Sequence, residues 1–297
     1  MAKIDLHGIF PPITTPFSNG KVAYDKLAFN VEKWNRTGLK GFVVLGSNGE
    51  YVYLSEEEKR RTVESVVQAA DDEMLIIAGT GCESTVETLR LTEDCAKLGA
   101  HAALVVTPQY YAGRIRENAL IKHYSELADQ SPLPILVYNV PKFTHINLAA
   151  GVVAGLSQHP NIVGIKDSAA NVIQLGEILN GVAGDFNVMV GTAGVLFSGL
   201  TIGCAGGVCA LANVAPKACV KIYDLVKSGD LDAARELQLR MLPVNQAVTA
   251  VYGVPGLKAA MDMLGYYGGD PRLPLLPSSE RELSEIEAIL KKAELLK

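Results

Sequence analysis

Short apolar runs of four to six residues alternate along the chain with longer amphipathic stretches, which predicts a parallel sheet covered by helices. The runs are Gly8 to Ile13, Gly41 to Leu45, Leu75 to Ala78, Ala102 to Val106, Ile135 to Tyr138, Ile162 to Lys166, Asn187 to Val190 and Gly206 to Cys209. Between them, helix starts are marked by a capping residue followed three positions later by glutamate, as in Ser55 with Glu58 and Ser84 with Glu87. A repeat of about 25–30 residues fits βα units closing into an α/β TIM barrel, a (β/α)8 fold, with an open eight-stranded sheet as the alternative.

After the eighth run the chain holds more helix than one unit needs: Pro216 to Lys227, Leu231 to Ala250, Gly256 to Leu264 and Ser279 to Leu296. No low-complexity linker separates this surplus. The expected organisation is a barrel over 1–228 and a C-terminal helical extension over 229–297, packed on the barrel.

Composition narrows the class of partner. With 48% hydrophobic residues and a net charge of −5, and with Lys and Arg scattered, the chain builds no basic stripe for nucleic acid. No run approaches the roughly 18 apolar residues of a membrane span, and Met1 to Leu6 form no apolar signal region, so a cytoplasmic location is expected. The five cysteines, Cys82, Cys95, Cys204, Cys209 and Cys219, are widely spaced and read as reduced core thiols. The five histidines show no ligand spacing, so no metal is expected.

In a barrel the active site lies at the carboxyl ends of the strands, which directs attention to the polar residue after each run. Lys166 ends the sixth run, where apolar surroundings disfavour its charged form. An amine so placed is nucleophilic near neutral pH and can condense with a carbonyl as a Schiff base; the alternative is a lysine that snorkels to solvent. Tyr138 ends the neighbouring run and is either a proton relay beside that amine or a half-buried core aromatic. Gly46-Ser47-Asn48-Gly49 suits a tight turn whose N–H groups bind a carboxylate, or an ordinary turn. Glu50 reads either as a carboxylate orienting that turn or as a solvated charge. Ser168 stands two residues beyond Lys166 and shares its face if the strand continues. Gly191 and Cys209, at the ends of the seventh and eighth runs, complete the candidate substrate contacts. The glycines around Gly203 to Gly207 either bring backbone close to a ligand or permit tight packing.

These residues resemble those of the dihydrodipicolinate synthase and N-acetylneuraminate lyase superfamily, from Gly8 to about Leu276. The shared pieces are Pro12-Ile13-Thr14-Thr15-Pro16-Phe17, the GSNGE turn, Val106-Thr107-Pro108, Tyr138-Asn139-Val140-Pro141 and Gly164-Ile165-Lys166-Asp167. Within it the sequence looks most like the 4-hydroxy-2-oxoglutarate aldolases, through stretches such as Gly81-Cys82-Glu83-Ser84-Thr85, Ser157-Gln158-His159-Pro160-Asn161-Ile162 and Gly265-Tyr266-Tyr267-Gly268-Gly269.

The resemblance implies a class I aldolase with no cofactor, in which Lys166 forms a Schiff base with a 2-oxo acid and Tyr138 moves protons. It implies that Ser47, Asn48 and Ser168 contact substrate. It also implies that Tyr110 completes a relay in a neighbouring subunit, hence a dimer or tetramer. The expected reaction is cleavage of 4-hydroxy-2-oxoglutarate to pyruvate and glyoxylate. The alternatives are a dihydrodipicolinate synthase, an N-acetylneuraminate lyase or a 2-keto-3-deoxy sugar acid aldolase. One departure bears on that choice: the synthases carry an arginine, which binds the second substrate's carboxylate, where Phe143 stands beside Lys142.

Two readings from other classes are a non-catalytic ligand-binding barrel and a nicotinamide-dependent oxidoreductase suggested by Gly79-Thr80-Gly81. The latter lacks the third glycine and the acidic residue of a dinucleotide site.

Overall fold

The computed structural model describes residues 4–297; Met1 to Lys3 of the charged N-terminal stretch lie outside the described residues. The strands are β1 (Gly8–Phe10), a small hairpin of β2 (Phe17–Ser18) and β3 (Lys21–Val22), β4 (Gly41–Val44), β5 (Leu75–Gly79), β6 (Ala102–Val106), β7 (Ile135–Asn139), β8 (Ile162–Asp167), β9 (Asn187–Val190) and β10 (Gly206–Val208). The helices are α1 (Tyr24–Trp34), α2 (Glu56–Ala69), α3 (Thr85–Lys97), α4 (Glu117–Gln130), α5 (Pro141–Thr144), α6 (Ala150–Leu156), α7 (Val172–Gly181), α8 (Leu196–Thr201), α9 (Pro216–Ser228), α10 (Leu231–Gln246), α11 (Gly253–Met263) and α12 (Glu280–Lys292).

Eight strands pair in parallel in the order β1-β10-β9-β8-β7-β6-β5-β4. The two ends of that order meet. Ile13 N–H donates to Val43 O at 2.9 Å, and Val43 N–H donates to Pro11 O at 3.0 Å. The sheet is therefore a closed barrel, and the open-sheet alternative falls. The first run is expected to continue to Ile13, but β1 stops at Phe10, because Pro11 and Pro12 have no N–H to extend the ladder. Only an isolated bridge from Pro12 to Val43 carries the pairing further.

Alternation along the strands divides the core in two. One face fills the barrel interior with Phe10, Val43, Ile77, Leu104, Leu136 and Met189. The other packs the strands against the helices, through residues such as Phe42, Ile76, Val105, Val137 and Ile165. Some glycines are set by this closeness. A Cβ on Gly206 would collide with the backbone of Gly8, and one on Gly207 would lie 2.8 Å from Cys209 Sγ, so this cluster serves barrel packing. Gly79 and Gly81 likewise abut the backbones of Leu45 and Val106 and form no phosphate cradle.

The capping signals have physical counterparts. Glu58 N–H donates to Ser55 Oγ at 3.2 Å, and Ser55 N–H donates back to the Glu58 carboxylate at 2.9 Å. At α3 only half the box forms: Ser84 Oγ accepts from Glu87 N–H, while the Glu87 carboxylate takes Arg90 instead.

The extension differs from its sequence pattern at one place that matters. The helix expected over Leu231 to Ala250 ends at Gln246 and passes into a π-turn over Ala247–Val251. The next helix begins at Gly253, three residues earlier than its pattern suggests. Helix α10 packs against α9 and α12, and α11 packs against the π-turn and α12. Four of the five cysteines are buried, Cys82 is half-buried, and all five are free thiols.

Candidate active site

Tyr138 and Lys166 are register partners on β7 and β8, and Met189 of β9 stands beside Lys166 in the same layer. Both point into the barrel above its apolar filling. Lys166 is 2% exposed, and its Nζ lies 3.9 Å from the centroid of the Tyr138 ring. The amine is thus desolvated at the mouth of the barrel and does not snorkel to water. Burial alone would push the Tyr138 phenol up. The positive charge on Lys166, together with hydrogen bonds to Ser47, Lys166 and Ser168, overcomes burial and holds it below the usual phenol range.

The residues next along each strand face outward and lock these two in place. Asn139 Nδ2 donates to the Asp167 carboxylate at 2.7 Å, and Gln174 Nε2 donates to the same oxygen at 3.1 Å. Asn147 joins Asn139 and Gln174. Burial raises the Asp167 carboxyl above its ordinary range, and the hydrogen bonds from Asn139, Ala169 N–H and Gln174 oppose it. The register is extended by Ser168 N–H, which donates to Asn139 O at 2.8 Å.

The turn after β4 is a 3-10 turn over Ser47–Gly49. The leading N–H groups of such a turn have no partner within it, which leaves donors at the cavity. Ser168 Oγ donates to Gly191 O at 3.3 Å. Gly191 admits no side chain: a Cβ there would overlap Ser168 Oγ and lie 2.8 Å from Asp167 O. Ser47, Asn48, Tyr138, Lys166, Ser168 and Gly191 together line one cavity of about 260 Å³.

Two candidates stand apart from that group. Cys209 is fully buried beside Lys166 and does not line the cavity; its thiol is pushed up to about 12 by burial, against the pull of Lys166. Contrary to the expectation from its place at the end of the eighth run, it is a packing residue and not a substrate contact. Tyr110 is 78% exposed, stacked edge to face with Tyr111 at 5.0 Å, and outside the cavity of its own chain.

Sequence reasoning misses the opposite wall. Val248, Thr249, Ala250, Gly253 and Val254, from the π-turn and the start of α11, line the cavity with Lys142 and Phe143. Lys142 Nζ donates to Thr249 O at 3.4 Å, which ties the loop after β7 to the π-turn. A second cavity of about 580 Å³ adjoins the first through Ser47, Val140, Lys142 and Phe143, and adds Tyr51, Tyr53 and Gln109. Burial, and then the nearness of Tyr138, push the Tyr51 phenol well above its ordinary range. The one local signal of irregularity is Pro243, inside the expected helix and a turn ahead of the π-turn, and it does not by itself point to a cavity wall.

A lysine and a phenol, in register on adjacent strands and buried at the carboxyl end of a parallel barrel, define a Schiff-base lyase. The whole chain agrees with that class: residues 5–293 match the model of the Dihydrodipicolinate synthetase family, and the protein belongs to this family. It is 38% identical over 287 residues to the 4-hydroxy-tetrahydrodipicolinate synthase of Methanothrix thermoacetophila, covering 96% of each chain. It is 35% identical to that of Phenylobacterium zucineum, covering 97% of this chain and 98% of the relative. Among solved structures, the dihydrodipicolinate synthase of Thermotoga maritima superposes with a TM-score of 0.94 at 31% identity, covering 99% of this chain and all of that one. The Acinetobacter baumannii synthase, solved with pyruvate, gives 0.93 at 30% identity, covering 98% and 100%.

The superfamily resemblance thus holds. The closer likeness to 4-hydroxy-2-oxoglutarate aldolase is not supported by these relatives, which carry the synthase name. Membership in this enzyme family sets aside the oxidoreductase and the non-catalytic barrel.

Proposed function

We propose that this chain is a pyruvate-dependent class I aldolase that works without a cofactor, with Lys166 as its nucleophile. The observation that carries this reading is the buried pairing of Lys166 with Tyr138. Lys166 Nζ adds to the keto carbon of the oxo acid to give a carbinolamine. Tyr138 donates a proton to the departing hydroxyl, which leaves as water as the imine forms. The carboxylate next to the keto carbon rests on the N–H groups and side chains of Ser47 and Asn48. The Ser168 hydroxyl takes a further oxygen.

From the imine, loss of a proton from C3 gives an enamine that attacks an aldehyde. In the reverse direction the substrate hydroxyl loses its proton, the carbon-carbon bond breaks, and its electron pair moves to the imine nitrogen. The same lysine and phenol serve both directions.

The relatives' names favour synthesis, the condensation of pyruvate with aspartate semialdehyde. Cleavage of 4-hydroxy-2-oxoglutarate is the second reading. One feature favours it: Phe143 is exposed at the cavity rim, and by the family resemblance it takes the position of the synthases' carboxylate-binding arginine.

In the same reading the enzyme is a cytoplasmic homo-oligomer. The exposure of Tyr110 and Tyr111, 78% and 70%, supports that reading, since a second copy of the chain would bury two large aromatic side chains there.

Borohydride reduction in the presence of pyruvate tests the common core. It is expected to add one reduced pyruvate to the peptide containing Lys166; an unmodified peptide sinks the reading. Parallel assays of pyruvate consumption with aspartate semialdehyde and pyruvate release from 4-hydroxy-2-oxoglutarate then decide the aldehyde.

A further inference from the structure

Glu50 ends the GSNGE turn in the left-handed region, at φ 52°. A non-glycine residue held there needs surroundings that fix it. Its carboxylate is buried and gripped from both sides. Lys258 Nζ approaches Oε1 at 2.6 Å, with both side chains 1% exposed, and Arg272 N–H donates to Oε2 at 2.8 Å. Lys258 also donates to Asp270 O at 3.0 Å and lies 4.4 Å from the centroid of the Phe17 ring. The mechanism above uses none of these groups.

The two partners belong to opposite walls of the catalytic cavity. Glu50 N–H donates to Ser47 O at 3.2 Å, so the carboxylate sits at the foot of the turn whose Ser47 bonds Tyr138. Lys258 lies on α11, the helix whose first residues, Gly253 and Val254, form the facing wall. Among the described side chains this is an ion pair with both members almost wholly dry, in a place where uncharged packing is often as stable. Burial pulls the Lys258 amine down, and Glu50 opposes that.

We propose that the Glu50–Lys258 pair is a strut that fixes the separation of the Ser47–Gly49 turn from α11, and so sets the affinity of the site for the oxo-acid carboxylate. Both are positioning residues, acting through the turn. The inference rests on the reading that this turn binds the carboxylate.

The test is the double variant Glu50→Gln/Lys258→Met, which removes both charges, nearly keeps side-chain volume and leaves an acceptor for Arg272 N–H. Pyruvate KM and kcat are measured well below the thermal midpoint, with borohydride trapping at saturating pyruvate. The expected result is a KM raised about tenfold, complete trapping and kcat within about threefold of the parent. A folded variant with unchanged KM overturns the proposal, even if its midpoint falls, because the pair is then structural only. If the double variant does not fold, Glu50→Gln alone is measured against the same criterion, and an unchanged KM again overturns it. Failure of the parent protein to trap pyruvate would instead remove the functional reading itself.

Discussion

Lys166 and Tyr138 face each other across one rung of the β7–β8 ladder, with the lysine nitrogen 3.9 Å from the centre of the phenol ring. The contact has two parts, a ring that packs on the amine and a hydroxyl that shares its hydrogen bonds with Ser47 and Ser168. Substitution can separate them. Tyr138→Phe keeps the ring and removes the proton carrier, so kcat is expected to fall by about 10²–10⁴. Lys166 should still be labelled by pyruvate and borohydride, more slowly. Steady-state rates and intact mass check both halves, and an undiminished kcat would remove Tyr138 from proton transfer.

Gly191 predicts a steric effect. A methyl group there meets Ser168 Oγ and the Asp167 carbonyl. Gly191→Ala is expected to cost about 1–3 kcal/mol of stability and to lower kcat/KM by displacing Ser168. Denaturant unfolding and steady-state kinetics are the measurements; a variant as stable and active as the parent would show that the backbone yields easily here.

Lys142 stands at the rim shared by the two cavities, where it donates to the carbonyl of Thr249. If the second carboxylate of the substrate lies there, Lys142→Ala should raise KM for a dicarboxylic substrate about two- to fivefold, the worth of an exposed ion pair. Trapping of pyruvate alone should not change. Equal effects on both would place the lysine's influence on the site as a whole.

His123 gives the chain an acid-sensitive point far from the chemistry. Its Nδ1 lies 2.9 Å from Thr85 Oγ1, and burial holds the ring down to about 4. An unfolded histidine titrates near 6.5. Between those values the unfolded chain binds more protons, so the stability from this residue is present above about pH 6.5 and is lost as pH falls toward 4. The full loss is about 3 kcal/mol. Urea midpoints at about pH 7 and pH 4.5 should differ more for the parent than for His123→Leu; equal differences would assign the acid sensitivity elsewhere.

The repeated pattern of apolar runs made the barrel readable, because each buried strand must be apolar on both faces and each covering helix must be amphipathic. Lys166 and Tyr138 were readable for the same reason: a polar residue closing an apolar run falls at the carboxyl end of a strand, where a barrel collects its chemistry. Cys209 fits that rule and fails, since the strand pleat turns it away from the opening and into the core. Partners distant in sequence left no local trace. The local pattern leaves Glu50 between an orienting carboxylate and a solvated charge, because Lys258 and Arg272, which hold it buried, lie more than 200 residues further along the chain. The π-turn over Ala247–Val251 follows a helical pattern in sequence, yet it departs from the α-helix where it packs against α11 and lines the cavity.

That π-turn has a bearing on how the protein can be cut. Residues 229–297 look like an add-on to a finished barrel, but Val248 to Val254 supply a whole side of the reaction chamber. A fragment ending after α9 would leave the reactive amine at the bottom of a bowl open to water, whatever became of its strands. Swapping this tail between relatives should therefore reshape the chamber and shift the preference for the aldehyde, because five of its residues line the cavity that holds Lys166.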